Sequence, residues 1–194
     1  MPHPILLMIA GPNGSGKSTI TAGVEIIGDY INADEIQAYL ACDPMEAAVI
    51  AEATRKAKLA AGESFTFETV LSTTRNIELA KTAKDAGYYI VCYYILTADP
   101  QINLARIEAR KRKGGHNVPP EKTVARYARA MNLFPLLPPL CDELYVYDNS
   151  LDRREGSPEL ILSSRGGNLE IFPTSVWSAQ MIGALCDGTY SPEK

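Results

Sequence analysis

The chain of 194 residues has only two histidines, and its four cysteines (Cys42, Cys92, Cys141 and Cys186) stand far apart with no CxxC pair. Structural zinc sites draw on clustered cysteine and histidine at short spacing, so none is expected here. Cys92 lies in an apolar run and reads as a small buried hydrophobe. Reduced thiols fit a cytosolic protein. Basic residues are outnumbered, 19 against 23 acidic ones for a net charge of -4. That balance argues against a general nucleic-acid binder, whose affinity comes from a basic surface that displaces condensed counterions. No stretch approaches the roughly 18 apolar residues needed to cross a bilayer. The N-terminal run Ile5 to Ala10 has neither a basic n-region nor a small-residue cleavage site. The expected location is therefore the cytoplasm, with neither membrane nor nucleic acid as a partner. Internal repeats and low-complexity tracts are also missing, and Pro135 to Pro139 reads as a rigid corner, not a linker.

What remains is an ordinary globular composition, 46% hydrophobic, enough to bury one core over residues 1–194. Short apolar or β-branched runs alternate with longer stretches of helical spacing, the pattern of βαβ units and a parallel sheet. Five strands are predicted: Ile5 to Ala10, Tyr30 to Asn32, Phe65 to Val70, Tyr88 to Leu96 and Glu143 to Tyr147. Asp43-Pro44 with Glu46, and Asp99-Pro100, mark helix starts, and Gly62 and Gly87 sit where helices should stop. A helix from Pro119 to Phe134 puts Val124, Tyr127, Ala128 and Met131 on a buried face and leaves Arg126 and Arg129 on another. From about 158 to 187 the pattern changes to a β-hairpin around Arg165-Gly166-Gly167 and a short helix near Trp177, read as an appendage. The fold class expected is α/β, a P-loop NTPase three-layer sandwich with a mostly parallel five-stranded sheet, a helical lid and a C-terminal β-hairpin.

Gly11-Pro12-Asn13-Gly14-Ser15-Gly16-Lys17-Ser18 fits G-x-x-x-x-G-K-[ST] at every fixed position, after a predicted strand and before a predicted helix. Glycines let such a loop turn its N–H groups onto an anion. Lys17 reaches the β- and γ-phosphates, Ser18 ligates Mg²⁺, and Thr19 completes the run. The stretch Gly11 to Thr19 is thus the expected cradle for ATP, with GTP also admissible.

Two carboxylates stand where open α/β sheets bind ligands, at the carboxyl ends of strands. Asp34 either accepts the proton of an attacking hydroxyl or caps the helix from Glu35 to Leu40. Glu68 interrupts an otherwise apolar strand. It meets a ligand hydroxyl, a Mg²⁺-bound water, or an internal salt-bridge partner.

Between Arg106 and Arg129 eight basic residues face two acidic ones, a net +6 inside an acidic chain. Arg106 with Arg110, and Arg126 with Arg129, form one-sided pairs at helical spacing. Two helices joined through Gly114-Gly115, over about 106–134, read as a lid whose arginines neutralise a transferring phosphoryl group, or more simply as a solvated charged face. His116 alone says little.

Six blocks in order, GPNGSGKST at Gly11, NADEI at Asn32, FETVLS at Phe67, GGHNVP at Gly114, RYARAMNLF at Arg126 and YDNS at Tyr147, make the chain resemble the short members of the zeta-toxin family of small-molecule kinases. The hairpin and Trp177 ending is similar too. The resemblance implies that ATP phosphorylates a hydroxyl of a nucleotide sugar, with UDP-N-acetylglucosamine as the acceptor of the larger toxins, and that an antitoxin protein could be a partner. It implies Asp34 as catalytic base, Lys17 and Ser18 on the phosphates and Mg²⁺, Glu68 at the acceptor, and Arg126 and Arg129 as lid cations; Asn32, Asp34, Thr69 and Arg75 are further expected to bind the acceptor, and Arg110 to close over the transfer. The chain departs from the family where the larger toxins place an arginine four residues after the strand-end glutamate. Ser72 stands there, with Arg75 three residues on. Near His116 those toxins tend to carry an arginine, and they have further C-terminal sequence, so toxicity does not follow.

Three readings result: a Mg²⁺-ATP-dependent kinase for a sugar hydroxyl, a kinase for another small acceptor such as an antibiotic or nucleoside, and a nucleotide-gated binding protein in which ATP orders the lid.

Overall fold

The computed structural model describes residues 3–112, 119–151 and 158–191. Seven strands form a single sheet in the order β2-β3-β1-β4-β5-β6-β7. They are β1 (Ile5–Ala10), β2 (Asp29–Ile31), β3 (Phe65–Thr69), β4 (Tyr89–Leu96), β5 (Glu143–Asp148), β6 (Glu159–Arg165) and β7 (Asn168–Ile171). The first five pair in parallel, so the five expected strands are all present. The hairpin is not an appendage. β6 pairs antiparallel with β5, from Glu143 opposite Arg165 to Asp148 opposite Glu159, and β7 continues the same sheet. It is held there by burial: Ile161 and Leu162 of β6 are fully buried, as is Trp177 beyond β7, which stacks on Tyr190.

The helices are α1 (Lys17–Thr21), α2 (Ala33–Leu40), α3 (Pro44–Ala61), α4 (Arg75–Asp85), α5 (Pro100–Arg112), α6 (Pro120–Leu133) and α7 (Ala179–Asp187). Asp43 caps α3 by accepting from the amides of Met45 (2.8 Å) and Glu46 (2.9 Å), and Asp99 accepts from Gln101 (2.8 Å) at the start of α5, as the sequence predicts. One core joins Leu6, Met8 and Ala10 of β1 to Phe65, Phe67, Ile90 and Tyr94, and to residues of α3, α4, α6 and α7. Leu7 and Ile9, the alternate residues of β1, are buried outside that cluster, and α1 packs on β1 and β4.

The buried face of α6 differs from the expected one. Thr123, Tyr127, Ala130 and Met131 are buried, whereas Val124 is 38% exposed and Ala128 is also exposed. The stripe is set by Tyr127, whose hydroxyl donates to the Thr97 carbonyl at 2.6 Å, and by the Ala130 carbonyl, which accepts from Tyr94 at 3.1 Å. Two buried phenols need partners, and meeting them turns the helix about one position from the purely apolar choice. Helix α6 is therefore rooted in the sheet through β4. The Gly114-Gly115 junction and His116 lie outside the described residues.

Candidate active site

The loop between β1 and α1 is shaped by close approach. Gly16 has φ +98, and a Cβ there would meet Asn149 Nδ2 at 2.1 Å; at Gly14 it would meet the Asn103 carbonyl at 2.7 Å. No other residue type fits either place. The same two asparagines grip the loop: Asn103 Nδ2 donates to the Asn13 carbonyl (2.7 Å) and Asn149 Nδ2 to the Ser15 carbonyl (2.7 Å). Asn103 is itself fully buried on α5, and its side-chain oxygen takes the Thr97 hydroxyl. Neither asparagine was singled out from sequence. Asn149 lies in the YDNS block, but an asparagine inside a helix such as Asn103 carries no signal of its own.

Within the loop the Ser15 amide donates to Pro12 (3.2 Å) and the Thr19 amide to Gly16 (2.9 Å). Lys17 donates to the carbonyls of Gly11 (2.9 Å) and Pro12 (3.3 Å), so its ammonium folds back over the cradle. Burial lowers its pKa from the usual 10.5, while the carboxylates of Glu68 and Asp34 oppose that fall and Arg110 adds to it. A charged lysine short of solvation is poised for a polyanion.

Asn32, not Asp34, caps α2: its side-chain oxygen accepts from the Asp34 amide at 2.9 Å. Asp34 sits in the first turn with an exposed side chain that lines the cleft. Glu68 has no ion-pair partner among the described residues. Its carboxylate accepts from the Thr21 hydroxyl at 2.8 Å and also lies against the Tyr30 phenol, whose pKa is raised mainly by burial. Thr69 accepts from the Leu71 amide (3.0 Å) and from Asn76 Nδ2 (2.7 Å), holding the backbone as it leaves β3.

These groups line one cleft of about 1220 Å³, with the P-loop at its centre. That exceeds the roughly 300–1,000 Å³ usual for a single small ligand and leaves room for two. Arg110, Arg126, Arg106 and Lys122 of α5 and α6 line it as well. Arg129 and Arg75 do not. Arg129 Nε donates to the Ser72 carbonyl (3.2 Å), and Arg75 is 74% exposed and pairs with Glu52 at 3.5 Å. A cation that sequence reasoning passed over, Arg55 of α3, lines the wall instead. Among the described residues no group of histidine, cysteine, aspartate and glutamate side chains could hold a metal unaided, and no helix is long and apolar enough to cross a membrane.

No family model matches the sequence. An uncharacterized protein of Haemophilus influenzae (strain Rd) is 31% identical over 135 residues, which are 62% of this chain and 91% of that protein. The chain belongs to the same family as this Haemophilus protein. Among solved structures, a chain of the AvrRxo1-ORF1:AvrRxo1-ORF2 complex with sulphate ions aligns at TM-score 0.70 and 18% identity, over 99% of this chain and 65% of that one. The chain thus spans slightly less than two thirds of that protein's length. The same complex is known with ATP. A chain of the PezAT chromosomal toxin-antitoxin system of Streptococcus pneumoniae aligns at TM-score 0.55 and 18% identity, over 98% of this chain and 81% of that one. The fold is accordingly the one that these two proteins share.

Proposed function

We propose that the chain is a single kinase domain that transfers the γ-phosphate of ATP to a hydroxyl of a small molecule. The observation that carries this reading is that Lys17 of the P-loop and the exposed Asp34 at the start of α2 line the same cleft. Because Asn32 performs the capping, Asp34 is spared that duty and its exposed side chain is available to an incoming alcohol.

In this reading the loop amides and Lys17 hold the β- and γ-phosphates. Asp34 aligns the acceptor hydroxyl and takes its proton as the oxygen attacks phosphorus. Arg110 and Arg126, fixed on helices rooted in the core, lie beside the charge that spreads onto the transferring oxygens. Mg²⁺ suits a site with few protein ligands, since it keeps waters and binds through substrate phosphates. Ser18 is the residue that would hold it, and it would neutralise phosphate charge there. The cleft's volume supports two ligands bound side by side.

The finer proposal for the acceptor is a UDP-sugar such as UDP-N-acetylglucosamine, resting on the zeta-toxin resemblance of the sequence blocks. An antitoxin-like protein partner belongs to the same proposal, supported by the complexes in which the structural neighbours occur. So does a cytoplasmic location. The test is incubation with γ-labelled ATP and a panel of nucleotide sugars, nucleosides and aminoglycosides. Label in one acceptor, lost in Lys17→Ala and in Asp34→Asn, is the expected result; no labelled acceptor with wild type and Lys17→Ala alike contradicts it. If Asp34→Asn retained full biological function while Lys17→Ala lost it, the chain would be a nucleotide-gated binding protein.

A further inference from the structure

Helix α3 sends one arginine into the cleft wall without giving it a partner. The Nε of Arg55 is buried and makes no hydrogen bond, and no ion pair or hydrogen bond from another described residue reaches its guanidinium. The acid that acts on it, Glu52, is already occupied by Lys56 at 2.7 Å and by Arg75 at 3.5 Å. What holds Arg55 in place is apolar: its guanidinium lies 5.1 Å from the centroid of the Phe67 ring, and Phe67 is fully buried on β3. An uncompensated charge in a half-buried place is expensive. A cation–π contact that holds the guanidinium while leaving its Nε unpaired keeps an arginine ready for an anion.

Its place in the fold says which anion. The P-loop follows β1 in the middle of the sheet. The lid cations Arg106, Arg110, Lys122 and Arg126 come from α5 and α6, which follow β4 on one side. Arg55 comes from α3, which packs on β2 and β3 on the other, the flank that carries Tyr30, Asn32, Asp34 and Glu68. The cations are thus divided between two flanks of the phosphate cradle, and the flank with the carboxylates would repel any anionic acceptor without a positive group of its own.

We infer that Arg55 is the specificity residue of the acceptor site, and that the acceptor is an anionic hydroxyl compound whose phosphate or carboxylate group is bound by the Arg55 guanidinium. This rests on the kinase reading and narrows its substrate class.

The test is binding, read separately from turnover. The whole protein is saturated with Mg²⁺ and a nonhydrolysable ATP analogue, so that the P-loop is filled, and titrated calorimetrically with pyrophosphate, UDP, citrate and malonate. Wild type is expected to bind at least one; the phosphate arm or the carboxylate arm then names the group. Arg55→Gln should weaken that binding roughly 10- to 100-fold, the worth of charged hydrogen bonds, with Arg55→Lys falling between. Affinity for the ATP analogue and the Tm should stay unchanged in both variants. The inference is overturned if no anion binds wild type, if Arg55→Gln binds as wild type does, or if it loses the ATP analogue by the same factor. It is also overturned if Tm collapses in both variants, which would make Arg55 a packing residue. Transfer of label to neutral acceptors only, undisturbed by Arg55→Gln, would sink the inference and leave the kinase reading standing; anion binding without any transfer would do the reverse.

Discussion

Asn103, buried on the lid helix α5, donates to the backbone carbonyl of Asn13 at 2.7 Å and so ties that helix to the loop expected to hold the nucleotide phosphates. The bond fixes α5, which carries Arg106 and Arg110, against the loop. Replacing Asn103 by Ala leaves the Asn13 carbonyl and the Thr97 hydroxyl without that side chain. The expected cost is about 1–3 kcal/mol of stability together with weaker ATP binding, measured by urea unfolding and by calorimetry. Asn103→Ala with unchanged affinity and unchanged midpoint would show that the tie does nothing.

Gly16 is the sharper test of the cradle. In Gly16→Ala the new methyl lies 2.1 Å from Asn149 Nδ2 in a backbone region that disfavours side chains. The Asn149 grip on Ser15 must give way. ATP binding is expected to disappear while the circular dichroism spectrum of the fold remains. Restoring space with Gly16→Ala/Asn149→Ser should recover only part of the affinity, because the clash is relieved and the backbone strain at φ +98 remains.

Lys17 carries a pH signature. Burial holds its pKa below 10.5, and an arriving triphosphate stabilises the charged form, so ATP binding takes up protons at pH values between the depressed pKa and the raised one. Calorimetry through the alkaline range in two buffers of different ionisation heat should reveal that uptake in wild type and not in Lys17→Met. In the unliganded protein the same shift makes stability rise with pH between the depressed pKa and the ordinary 10.5, because there the unfolded chain binds the extra proton.

Trp177 reports on the C-terminal segment. It is fully buried, stacked 5.0 Å from Tyr190, and is the sole tryptophan of the chain. Trp177→Ala is expected to cost about 3–5 kcal/mol, read as a lowered urea midpoint. A cost below about 1 kcal/mol, the range of ordinary surface changes, would mean that β6, β7 and α7 are peripheral after all.

That segment shows where sequence alone reached its limit. The hairpin was legible from Leu160 to Phe172 by alternation and its Gly166-Gly167 turn, but alternation does not say which sheet a hairpin joins, and the pairing of Glu143 with Arg165 is a long-range fact. The P-loop was legible because its glycines and Lys17 obey a fixed spacing dictated by phosphate geometry. Asp34 was legible as a position and ambiguous as a role; the cap that was one of its two readings lies on Asn32. Arg55 was invisible: on a helix with several charged residues, nothing in the spacing tells an arginine stacked on a buried Phe67 from one in solvent. Arg75, chosen for its nearness in sequence to Ser72, lies on the outer face of α4's first turn, held by Glu52.

The central claim is that Lys17 captures the triphosphate while Asp34 serves the incoming alcohol, two duties in one cleft. Asp34→Asn, studied with labelled ATP and the acceptor found for wild type, measures them apart. The account predicts an ATP Kd within about twofold of wild type and transfer reduced by roughly 10²- to 10⁴-fold, the usual worth of a general base. Transfer at the wild-type rate in Asp34→Asn, with ATP binding intact, would contradict it.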